Sequence, residues 1–163
     1  MISHERLLDV VSPLATIFPY YNIDVSDINE GLDHGTANCG MRAYAAGVLL
    51  RHAYPNKNLY VVDFGYGGEH GADHVGENGV YVHMEHAVAR FTVPGYTPAL
   101  VETTDQDGSI SIISQNDRYD NFIWADLDRG YRKYLDLSGD EDIEIDPNEI
   151  LSHLLKRVSM NTA

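Results

Sequence analysis

Three kinds of side chain in this sequence could together carry acyl chemistry. They are a single thiol, Cys39; a histidine on an apolar run, His86; and two carboxylates a little further along, Glu102 and Asp105. In such chemistry a thiolate attacks a carbonyl carbon, an imidazole takes the thiol proton and returns it to the leaving group, and a carboxylate orients the imidazole. Cys39 falls at a predicted helix start, Ala37-Asn-Cys-Gly-Met41, where the helix dipole and unpaired N–H groups favour thiolate over thiol. The same N–H groups would steady an oxyanion, with Asn38 or His34 as candidate side-chain donors.

Elements must position these groups. Asn38 is a good N-cap, and the helix it opens is expected to reach about Ala53. Met41, Ala45, Val48, Leu49 and His52 share one stripe, and Tyr54-Pro55 supplies the stop. Residues 80–91 alternate as a strand with apolar residues on both faces, Pro94-Gly95 turns the chain, and residues 99–104 form the next strand. A hairpin centred on Pro94 puts His86 directly opposite Glu102, so that Nδ1–H could donate to the carboxylate. A centre one residue later pairs His86 elsewhere and keeps Asp105 open.

The remaining pattern supplies the frame. Residues 5–18 carry a helical face that Pro13 should bend or split, and residues 21–36 are an irregular approach to Asn38. Residues 59–64 read as a strand, 65–74 as a glycine-rich surface loop and 109–115 as a third strand of an antiparallel meander, with 122–124 adding a fourth. Residues 126–144 balance a helical pattern against Gly130 and an acidic run and are expected to be partly loop. Asp146-Pro-Asn-Glu149 opens a terminal helix. Helices, then an antiparallel sheet, then a helix indicate an α+β fold, a Cys-bearing helix packed on the sheet, within one domain spanning 1–163.

The 163 residues are 44% hydrophobic, enough for a core, and carry a formal charge of −14 at a pI near 4.7. That charge repels a phosphate backbone or an anionic membrane surface, so neither nucleic acid nor membrane is expected as a partner. A protein, peptide or small amide substrate fits better. The charged amino-terminal residues and the lack of a long apolar run lead us to expect a soluble, unprocessed chain, and a lone cysteine suits a cytoplasmic location.

Three segments, in order, resemble the transglutaminase-like superfamily of papain-like cysteine enzymes. Cys39-Gly-Met-Arg-Ala-Tyr-Ala-Ala-Gly-Val-Leu-Leu-Arg-His-Ala-Tyr-Pro55 is similar to that family's cysteine helix, with its Leu-Leu-Arg end and following proline. His86-Ala-Val-Ala-Arg-Phe-Thr-Val-Pro-Gly-Tyr96 resembles its His-Ala strand and Pro-Gly turn. Val101-Glu-Thr-Thr104 resembles its Val-Asp-Pro-Thr, with Glu102 at the Asp position and Thr103 in place of Pro. The resemblance implies a papain-like fold and a thiol hydrolase or acyl transferase that cleaves an amide through a thioester. Cys39, His86 and Glu102 or Asp105 would be its triad, with no cofactor.

Blander readings compete. A lone cysteine is commonly a small buried hydrophobe, His86 could be a hydrogen-bonded core histidine, and Glu102 could simply pair with Arg90. Glu in place of Asp favours a catalytically degenerate member of the fold that binds a protein or peptide. Glu69, His70, Asp73, His74, Glu77, His83, Glu85 and His86 invite a third reading, a His-rich metal-binding module. It is less favoured because His83 and His86 on one strand point to opposite faces.

Overall fold

The computed structural model describes residues 2–19, 28–34, 37–67, 86–103, 109–137 and 142–162. The amino-terminal helical pattern splits at Ser12-Pro13 into α1 (His4–Val11) and α2 (Leu14–Ile17), as a proline without an N–H requires. Next come α3 (Ile28–His34) and α4 (Cys39–Ala53). The sheet strands are β1 (Val61–Gly67), β2 (His86–Thr92), β3 (Ala99–Glu102), β4 (Ser111–Ser114) and β5 (Ile123–Asp126). Helices α5 (Leu127–Leu137) and α6 (Pro147–Thr162) follow. The result is an α+β architecture, in which an antiparallel sheet ordered β4-β3-β2-β1-β5 carries α4 on one face.

Helix α4 is enclosed rather than amphipathic. Every residue from Gly40 to Leu50 is buried, because β1 and β2 pack on one side and α1, α5 and α6 on the others. An apolar helix surrounded in this way has no polar face, so the expected single stripe is too narrow, and His52 is exposed. Close approach to α5 requires a glycine: a Cβ on Gly47 would stand 2.3 Å from a Leu127 methyl.

Three expectations give way to tertiary packing. Residues 28–34, inside the stretch expected to be irregular, form α3, with Ile28 and Leu32 buried in the core. Residues 65–67 continue β1 instead of opening a loop, because Gly65 lets the Trp124 ring of the neighbouring strand lie flat against the backbone. Residues 127–137 form a full helix. Leu127, Tyr131, Tyr134 and Leu135 recur on one buried face, and Gly130, whose missing side chain costs helix propensity, is what allows α5 to touch Phe64. Asp126 accepts from the Arg129 N–H at 3.2 Å and starts that helix. At α6 the Asp146 carboxylate accepts from the N–H of Asn148 and Glu149 at 3.1 and 3.3 Å, as its sequence predicts.

The sheet's two faces differ. Phe64, Tyr66, Ala87, Ala89, Phe91, Ala99 and Val101 join the core built around α4, whereas Val88 and Leu100 pack with Tyr119 and Phe122 on the opposite face. Strand alternation puts His86 and Glu102 on that second face. Among the described residues no helix is long and apolar enough to cross a membrane.

Candidate active site

Cys39 stands where the sequence placed it, as the first residue of α4. The Asn38 side chain accepts from the Met41 N–H at 2.9 Å and caps the helix, so its carbonyl oxygen holds the helix start in place. The thiol is half-buried. Its sulfur lies 3.8 Å from the Tyr134 hydroxyl and within reach of the N–H groups of Gly40, Ala87 and Cys39 itself. Burial pushes the Cys39 thiol above its ordinary pKa, and these four donors pull it back only in part. The helix start was expected to favour thiolate; the enclosure of α4 opposes it, since removing a charge from water costs more than these donors return.

Ala87 follows His86, the first residue of β2, so the thiol meets the strand one residue from the imidazole. The ring itself is held on the other side. His86 Nε2 lies 2.6 Å from Glu102 Oε2, and the Tyr119 hydroxyl donates to Oε1. The nitrogen on the carboxylate is therefore Nε2, not the expected Nδ1, which leaves Nδ1 on the ring's other edge. Phe122 flanks the ring edge-on, with centroids 6.2 Å apart.

The hairpin centre also differs from the expectation. Ala89 faces Val101 and Phe91 faces Ala99, which centres the turn on Gly95, the residue with φ of +90°. Continuing that register, Glu102 stands across from Val88 and meets His86 diagonally. A one-residue move of the centre shifts the opposed residue by two, which preserves the face. Glutamate has the reach for this diagonal.

Glu102 is 4% exposed. Burial alone would raise its pKa. The hydrogen bond and charge of His86, the Tyr119 hydroxyl and the nearby Arg118 outweigh burial and hold the carboxyl below its ordinary value. It does not pair with Arg90, whose guanidinium binds Asp63 at 2.9 and 3.1 Å and lies over Trp124 at 4.1 Å. A further tie links strand and helix: fully buried Arg42, on the first turns of α4, donates to the carbonyl of Thr103, the residue after Glu102.

The structure thus sets Asn38 and Cys39 against the start of β2 on the sheet's α4 side, and pairs His86 with Glu102 on the opposite face, with Ala87 linking the two. His34 closes α3, but its side chain, like Asp105 and the ligand-rich residues Glu69, His70, Asp73, His74, Glu77, His83 and Glu85, lies outside the described residues. Among the described residues no group of three or more His, Cys, Asp or Glu side chains converges as a metal site would. Sequence reasoning missed Tyr119, Arg42 and Tyr134. Tyr134 had a signal, its place in the helical pattern of 127–135; the other two are recognisable only by the groups they contact. A cavity of about 670 Å³ lies elsewhere, between α2 and α6, and none of the candidate residues lines it. Comparisons with protein-family models, curated proteins and solved structures find no match in any of the three, so the chemistry must be argued from this geometry.

Proposed function

We propose that the chain is a cysteine-dependent acyl-transferring enzyme with a papain-like, transglutaminase-like arrangement. More particularly, it is a thiol hydrolase or acyl transferase acting on an amide of a protein, peptide or small molecule. Cys39 is the nucleophile, His86 the base and Glu102 the orienting carboxylate. The observation that carries the reading is the 2.6 Å contact between His86 Nε2 and a carboxylate that Tyr119 locks from its other oxygen, on a strand whose next N–H reaches the Cys39 sulfur. A buried carboxylate so fixed dictates the tautomer, and in this reading Nδ1 accepts the thiol proton.

In the reaction, Nδ1 takes the proton as Sγ bonds to the carbonyl carbon. The carbonyl electron pair moves to oxygen, and collapse breaks the C–N bond as the imidazolium returns the proton to the amine. Water or a second amine then attacks the thioester. Alkylation of Cys39 by iodoacetamide across pH tests this: we expect reactivity near neutrality that His86→Ala removes. Identical pH dependence in the wild type and His86→Ala would overturn it. The upward push of burial on Cys39 favours the rival reading, a degenerate binding module, and that second outcome is the one it expects.

A further inference from the structure

We infer that Tyr134 is a further catalytic residue of this site. Its phenolic O–H is the side-chain donor that serves the Cys39 thiolate and then the oxyanion formed at the substrate carbonyl. The inference rests on the reading of Cys39 as a nucleophile and adds to it the donor for which the sequence offered only Asn38 and His34.

The geometry is built rather than incidental. Tyr134 lies over Gly40, where a Cβ would stand 2.3 Å from its ring, so the residue after the cysteine must be glycine for the phenol to reach Sγ at 3.8 Å. Neighbouring rings hold it: Tyr131 stacks at 6.2 Å, and Phe64 and Tyr66 meet it edge-on at 5.6 and 6.1 Å. Tyr134 is 7% exposed, which strengthens a hydrogen bond relative to one in water. Once the thiol loses its proton the sulfur has only lone pairs to offer, so the hydroxyl must be the donor.

As Sγ bonds to the carbonyl carbon, negative charge moves from sulfur to the oxygen two bonds away. Tyr134 keeps its proton throughout and shifts its hydrogen bond with the charge, while His86 carries the transferred proton. Donors already aimed at the starting charge need little reorganisation to follow it. Among the described residues Tyr134 is the side chain that hydrogen-bonds the thiol, the other donors being backbone N–H groups.

Two reactions of Cys39 separate this role from packing. Acylation by p-nitrophenyl acetate passes through an oxyanion; alkylation by iodoacetamide does not. Tyr134→Phe keeps the ring and is expected to slow acylation roughly 10- to 100-fold, while alkylation at its high-pH plateau changes less than about threefold. Site-specific replacement of Tyr134 by 3-fluorotyrosine, a stronger donor of nearly the same size, should keep the fold and speed acylation below the new phenol's pKa. Equal slowing of both reactions, or no change in acylation with either variant, overturns the proposal. If wild-type acylation depends on His86 and Tyr134 proves silent, only this inference fails. If His86→Ala also leaves acylation unchanged, the catalytic reading of Cys39 fails with it.

Discussion

Two carboxylates in this molecule are each gripped by a tyrosine hydroxyl and a nitrogen base. Asp128 accepts from Tyr44 at 2.6 Å and from Arg51 at 2.6 and 3.2 Å; Glu102 is held by Tyr119 and by His86 at 2.6 Å. Both carboxyls sit below their ordinary pKa. For Asp128, as for Glu102, burial would raise it, but here Arg51 and Tyr44 prevail. Two differences matter. The Asp128 and Arg51 side chains are 45% and 30% exposed, against 6% and 18% for Glu102 and His86. Arg51 also keeps its charge at any working pH, whereas a histidine can give up and regain a proton near neutrality. The first assembly clamps α4 to α5. The second holds an imidazole in a fixed orientation, the feature on which the proposed catalytic reading rests.

Substitutions can break that contrast. The largest expected effect is kinetic: His86→Ala should slow acylation of Cys39 by p-nitrophenyl acetate roughly 100-fold or more, the usual scale of a lost general base. Arg51→Met should leave that rate within about twofold, and p-nitrophenolate release reads both. Equal losses would erase the distinction between the two assemblies.

Stability comes next. Glu102→Ala leaves His86 and Tyr119 facing an emptied buried site and should cost about 3 kcal/mol in urea unfolding. Asp128→Ala should cost about 1 kcal/mol or less, since water reaches the half-exposed Arg51 left behind. A reversed order would mean that the Asp128 clamp, not the Glu102 pair, is the tighter assembly.

The smallest effect is pH-dependent. Both carboxyls are lowered, Glu102 from 4.5 and Asp128 from 3.8, so as pH falls the unfolded chain takes up these protons before the folded one does. Their stabilisation is complete above those ordinary values and is lost as pH drops through the lowered ones. Glu102→Gln should flatten the decline in unfolding free energy below about pH 5 more than Asp128→Asn does, because screening weakens the exposed pair. Urea titrations at a series of acidic pH values measure the two slopes.

Much of the arrangement was legible because its signals are local. Asn38 caps the helix that Cys39 begins, Pro13 divides the first helical pattern, and Asp146 opens the last helix through groups only two or three residues apart. His86 and Glu102 share a face through the two-residue period of strands, which survives an error in the turn. The chain's order of thiol, imidazole and carboxylate was therefore readable before folding. Tertiary structure alone decided the rest. Turn geometry at Gly95 set the diagonal register, and packing against Phe64 made 127–137 a helix despite Gly130. Enclosure of α4 turned an expected thiolate into a thiol pushed upward. Tyr134 reaches Cys39 across 95 residues and Tyr119 reaches Glu102 across 17, contacts that no short-range pattern encodes because they exist only once helix and sheet have packed.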